Sequence, residues 1–213
     1  MGWGPRGDQP RRRGGGRRGL ISIQWVTTSG AGELVLPYDC HLEFFLRGGG
    51  ASGSVAFNDS RGGGGGAGAR HSVLLRRNQV LKYVVGPGGG SNGAEGTLGN
   101  NGFDSTVLLP SGALIIAGGG RGTGEGGIAS GALENRSGES SGPVNSAGGA
   151  GASFADFGTL DIFAGGEGGA FGLTGSAGAS PGGGSGGCPP GGNGTSLPGG
   201  NGSLVYILSR VTS

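Results

Sequence analysis

The chain has 213 residues, of which 60 are glycine, roughly four times the ordinary share of about 7%. Charged residues make up only 13%, and six of the fifteen cations sit in residues 1–19 against a single aspartate, a local charge of +5 that leaves −3 on the rest. No basic stripe therefore exists outside that arm, and no apolar stretch approaches the ~18 residues of a membrane-spanning helix.

Residues 1–19, MGWGPRGDQPRRRGGGRRG, show no hydrophobic pattern and read as a flexible arm. They lack the clean apolar run and small-residue cleavage site of a secretory signal, so the four sequons (Asn58, Asn135, Asn193, Asn201) read as incidental. Arg6-Gly7-Asp8 matches an integrin-binding tripeptide, a chance event in so Arg- and Gly-rich a segment. Arg11, Arg12, Arg13, Arg17 and Arg18 form the candidate partner-docking cluster, because guanidinium groups pair with carboxylate or phosphate in forked geometry. Three readings stay open: docking on an acidic neighbouring structural protein, nucleic-acid contact of the RGG type, or a solvated tail. Trp3 is the only aromatic in the arm and the body is slightly acidic, which weighs against nucleic acid.

From residue 20 onward, apolar runs of strand length alternate with glycine. They are LISIQWV (20–26), ELVLP (33–37), HLEFFLR (41–47), HSVLLRR (71–77), VLKYVV (80–85), TVLLP (106–110), ALIIA (113–117) and SLVYILSRV (203–211). Each is partly β-branched and bounded by turn residues, so an ordered, mainly β protein is expected, with little or no α-helix. The last run is apolar on both faces and belongs inside a sheet, paired with strands from the first half. Residues 118–202 then form a glycine-rich excursion of about 85 residues, far too long for an ordinary loop. Cys40 and Cys188 make neither a metal-ligand spacing nor a disulfide framework; one bridge or two buried thiols are both compatible with them.

Several motifs suggest chemistry and fail on context. Gly88, Gly90 and Gly93 spell G-x-G-x-x-G after a strand, but the following GAEGTLGNNG cannot open the helix that a dinucleotide site needs. Ser140 and Ser185 each sit in G-x-S-x-G, with no strand before and no helix after, and only His41 and His71 are available as bases. His41 itself reads as a strand-end residue. Asp156, Asp161, Glu125, Glu134 and Glu139 are scattered without the nonapeptide calcium repeat. No enzyme, cofactor or metal site is expected.

The most regular feature is glycine at every third place: Gly90, Gly93, Gly96, Gly99, Gly102, and again Gly166, Gly169, Gly172, Gly175, Gly178, continuing past Pro181 to Gly184 and Gly187. Three residues per turn is the period of a polyproline-II-type helix, and glycine on one edge lets such helices approach and exchange backbone hydrogen bonds. Collagen shares the period but needs long registers and abundant proline, whereas these runs are five triplets with Asn, Ala, Glu, Leu and Phe between the glycines. The expected fold is a small β-sandwich-like core carrying packed polyglycine-II helices, as one domain over residues 20–213.

The order of motifs ELVLP, LEFFLRGGGASG, RHSVLLRRNQVLKYVVGPGGG, GTLGNNGFDSTV, ALIIAGGGRGTGEGG and GGNGSLVYIL, over roughly residues 22–209, resembles the glycine-rich domain of bacteriophage tail fibres, adhesins and other virion surface proteins. A related domain occurs in the extracellular part of the anaplastic lymphoma kinase receptor, whose membrane span, kinase and many disulfides have no counterpart here. The resemblance implies a virion protein, docked by its N-terminal part on other virion proteins in a multi-copy assembly, with glycine-rich loops turned towards a host-surface receptor. Capsid or tail decoration without a receptor role is the first alternative, and a nucleic-acid-associated protein acting through the arm is the second.

Overall fold

Ten strands run through the residues that the computed structural model describes, which are 20–55, 60–91, 96–143, 146–154, 168–169, 176–187 and 195–211. In order they are β1 (Leu20–Val26), β2 (Gly30–Val35), β3 (Cys40–Arg47), β4 (Gly68–Leu75), β5 (Val80–Val85), β6 (Ser105–Leu108), β7 (Leu114–Ala117), β8 (Ala129–Ser130), β9 (Glu134–Arg136) and β10 (Ser203–Arg210). All eight expected strands are present, β8 and β9 are additional, and the described residues contain no α-helix. The cluster Arg11, Arg12, Arg13, Arg17 and Arg18 lies outside the described residues, as does Cys188.

The strands form two antiparallel sheets, ordered β1-β10-β3-β4-β9 and β2-β5-β6-β7-β8. Alternation in HLEFFLR decides which side chains lie between them. Leu42, Phe44 and Leu46 point inward and pack with Leu204 and Leu208 of β10 against Leu81, Val85, Val107 and Ile115 of the other sheet. Phe45 takes the opposite face, where Phe154 and Val205 bury it in a second, smaller cluster. Strand β10 lies between β1 and β3, as its two apolar faces required. The link RRNQ does not make a hairpin of β4 and β5; those strands belong to different sheets, and the chain crosses between them. Asn78 accomplishes this at φ 64, a left-handed conformation that asparagine tolerates, with its N–H donated to the Leu36 carbonyl.

Successive strands alternate in direction, so the connections segregate to two ends. Short links (36–39, 76–79, 109–113, 131–133) occupy one end, together with Leu20 and Val211. The glycine-rich connections (48–67, 86–104, 118–128, 137–202) all leave from the other, where the short link 27–29 also lies. The expected excursion at 118–202 is interrupted by β8 and β9 and supplies two of these four connections.

Below the sandwich the hydrogen-bond period changes. In residues 48–55, the N–H groups of Gly48, Ala51 and Ser54 donate to Ala67, Gly64 and Arg61. Those of Gly49, Ser52 and Val55 donate to Phe103, Asn100 and Thr97, while Gly50 donates to Gly200. The partner therefore changes in a cycle of three residues, in place of the two-residue alternation of the strands above. Other segments follow the same step: Gly63 and Gly66 donate to Ser185 and Gly182, and Gly199 and Gly202 to Gly89 and Gly86.

Glycine is what permits this. The inner side chains hold the two sheets ~10 Å apart in a sandwich. Where they are absent, segments extending from opposite sheets bond directly, Gly49 to Phe103 and Ala67 to Gly118. In the run Gly62–Gly66, a Cβ at any position would come within 3.0 Å of a neighbouring carbonyl, those of Ala147, Ala51, Glu125, Ala150 and Gly48 in turn.

Cys40 is a free thiol with no exposed surface at the start of β3. Burial, and secondarily Asp39, push the thiol above its ordinary pKa. With Cys188 replaced by serine, a thiol-specific reagent at pH 8 should leave Cys40 unlabelled until the protein is denatured; rapid labelling of native protein would contradict its burial.

Candidate functional site

The triplet register raises the residues of a candidate site by exclusion. In 97–104, Gly99 and Gly102 turn inward, their Cα positions against the Ser52 and Gly49 carbonyls. The other two places of each triplet must then face outward or sideways. Asn101 and Asp104, three apart, use their Oδ1 atoms to accept from the N–H groups of Gly122 (2.8 Å) and Gly119 (2.9 Å). Asn100 and Phe103, also three apart, face the segment 86–91: the Phe103 N–H donates to Pro87, and Asn100 Nδ2 donates to the carbonyls of Gly90 and Ser91.

These residues border a cleft of about 700 Å³ on the flank of the second sheet, where the sandwich meets the bundle formed by the mutually hydrogen-bonded glycine-rich segments below it. Val84 and Pro87, Phe103 and Asp104, and Arg121 contribute to its lining from three segments of the chain. Phe103 is 61% exposed, a large aromatic surface among glycines. Side-chain partners among the described residues account for one oxygen of Asp104 and the oxygen of Asn101. Asn101, Asp104 and Arg121 are all exposed and all line the cleft. The signal was present in sequence as the only aromatic in GSNGAEGTLGNNGFD, but composition gave it no role.

A second surface lies beside it. The outer face of the second sheet carries Val35, Val84, Leu108 and Leu114, each at least 40% exposed, crossed by one ion pair between Lys82 and Glu33 at 3.4 Å. The outer face of the first sheet is polar at its β4–β9 end. Arg70 binds Glu43 at 2.7 Å and Glu134 at 3.3 Å, and Arg136 binds Glu134 at 2.6 Å. Burial there works against the Glu134 carboxylate, but hydrogen bonds from Arg136 and Arg70 outweigh it and hold its pKa below the ordinary value.

The motifs set aside in sequence fall within the scaffold. The Ser185 hydroxyl is fully buried and accepts from the Gly53 N–H, and the Ser140 hydroxyl accepts from Gly126. Gly88 and Gly90 belong to a bundle segment, with Gly93 outside the described residues. His41 is half-buried in β3, and His71 packs on Phe44 at 5.7 Å, with burial lowering its pKa. Glu125 and Glu139 contribute backbone carbonyls to bundle segments, and Asp156 and Asp161 lie outside the described residues. Among the described residues, no three His, Cys, Asp or Glu side chains converge as a metal site, and no helix is long and apolar enough to cross a membrane. No protein-family model matches the chain, and no curated protein matches it.

Proposed function

We propose that the protein is a non-enzymatic structural and adhesive component of a bacteriophage virion, a tail-fibre, tail-tip or surface-fibre protein built on polyglycine-II helices. The three-residue cycle of backbone partners in 48–55 supports the scaffold in this reading, because a polyglycine-II bundle bonds each helix to several neighbours in rotation, while the virion role is what the resemblance of the motif order implies. Such a bundle is rigid without a side-chain core, so its connecting loops can vary without unfolding it. The polarity of the chain agrees: Leu20, where the arm joins, lies at the end opposite the glycine-rich segments. A protein docked through Arg11, Arg12, Arg13, Arg17 and Arg18 would turn its bundle outward, towards a host-surface receptor.

Decoration of a capsid or tail, in many copies and without receptor contact, is favoured by one observation. The exposed apolar face at Val35, Val84, Leu108 and Leu114 suits lateral contact with a neighbouring virion subunit. Nucleic-acid association through the arm is the third reading.

Deleting residues 2–19 separates them. Docking predicts that the truncated protein folds with an unchanged thermal midpoint but is lost from purified particles. If particles retain it at wild-type level and only nucleic-acid binding disappears, the docking proposal is wrong. Immunogold labelling then distinguishes a fibre or tail tip from dense coverage of the shell.

A further inference from the structure

The cleft between sandwich and bundle has a composition that selects among ligands. Its volume, about 700 Å³, falls in the ~300–1,000 Å³ range of small-ligand sites. One cation, Arg121, and one anion, Asp104, border it, so it has no net field to attract a phosphate or sulfate. Its groups are instead mixed: carboxylate oxygen as acceptor, Asn101 amide and guanidinium as donors, and the exposed Phe103 ring as an apolar platform. A ligand that satisfies all of them must both donate and accept hydrogen bonds along its edge and offer an apolar C–H face. Gly90 in the lining has nothing within 4 Å of its Cβ position, so a ring can approach the backbone closely there. An apolar peptide would leave Asp104 and Arg121 desolvated without partners, which is costly.

We propose that this cleft binds a neutral, hydroxyl-rich saccharide, with a sugar ring stacked on Phe103 and its hydroxyls held by Asp104, Asn101 and Arg121. The carboxylate suits this role, because the Gly119 N–H holds one oxygen while the residue stays exposed in the cleft lining, with its second oxygen available as an acceptor. The proposal rests on the adhesive reading for its biological setting, in which the host-surface receptor would carry the saccharide. Its chemistry is tested on the isolated protein.

The full chain, immobilised in many copies, is presented with neutral hexose and N-acetylhexosamine oligosaccharides, with sulfated oligosaccharides as the charged comparison. Retention of at least one neutral saccharide is expected. Phe103→Ala should weaken it about tenfold or more, and Asp104→Asn, which keeps an oxygen for Gly119, should weaken it several-fold. Because Phe103 is largely exposed, the thermal midpoint of Phe103→Ala should match wild type, which keeps a binding loss interpretable. The proposal is overturned if no neutral saccharide is retained, if retention survives Phe103→Ala, or if only sulfated chains bind and salt releases them. Virion labelling that succeeds while saccharide retention fails would sink this inference and leave the adhesive reading standing. Saccharide retention by a protein absent from virions would do the reverse.

Discussion

Gly64→Ala is expected to destabilise the protein by about 3 kcal/mol or more, near the upper end for over-packing. The new methyl group would meet the Glu125 carbonyl and the Gly126 nitrogen, all main chain. A flexible side chain could rotate away from such a contact; a hydrogen-bonded backbone cannot. Any shift of residue 64 also strains two bonds at once, its own N–H to Arg121 (3.0 Å) and the Ala51 N–H to its carbonyl (2.9 Å). Gly90→Ala is the control from the same sequence class. It has nothing within 4 Å and no positive φ, so reduced unfolded-state entropy should make it neutral or stabilising by up to about 1 kcal/mol. Urea unfolding of both variants, followed by circular dichroism, measures the contrast. If Gly64→Ala falls within about 0.5 kcal/mol of wild type, backbone close approach is not what glycine provides here.

That pair of substitutions also shows how far the sequence could be read. Gly90, Gly96, Gly99 and Gly102 share one triplet register, yet only Gly99 and Gly102 pack against neighbouring backbone. Gly90 is open, and Gly96 occupies a turn at φ +75 that an L residue would strain to adopt. Periodicity by itself reports neither the conformation at each glycine nor whether a neighbour lies beside it. The run GGGGG at 62–66 is the converse case. It displays no visible triplet, and yet every one of its positions abuts neighbouring backbone, since successive glycines meet three segments (146–154, 48–55 and 118–128) in rotation.

The strands were legible because runs such as LEFFL and LVYIL carry their own pattern and are ended by turn residues. Strands β8 and β9, at two and three residues, carry none, and exist through their pairing with β7 and β4. Sheet membership was hidden for a similar reason. RRNQ has the length of a hairpin loop, but the Asp39 carboxylate accepts from the Arg77 N–H, and Leu36 exchanges backbone hydrogen bonds with Asn78 and Gln79, where the chain passes across to the other sheet. The Phe103 cleft was hidden because its residues come from three separate segments.

Arg47 gives the second large expected effect, and it lies where strand passes into bundle. Its side chain has no exposed surface, Nε donates to the Ala152 carbonyl at 3.0 Å, and the guanidinium lies 5.6 Å from the Phe154 ring centroid. Burial pushes its pKa down to about 10. That fall corresponds to a penalty of about 3 kcal/mol for holding the charge in the folded state at neutral pH. The sign follows from proton binding: between pH 10 and the ordinary guanidinium range the unfolded chain holds the proton more tightly, so the penalty is relieved as pH rises. Arg47→Met removes the penalty and keeps most of the stem, but leaves the Ala152 carbonyl without its donor, at about 1–3 kcal/mol. The two nearly cancel, so Met should lie within roughly 1 kcal/mol of wild type at pH 7, and wild type should gain on Met above pH 10. Arg47→Ala instead opens a cavity beneath Phe154 and should cost about 3–5 kcal/mol. Equal losses for Ala and Met in urea unfolding would show that the charge, and not the packed stem, joins segment 146–154 to the first sheet.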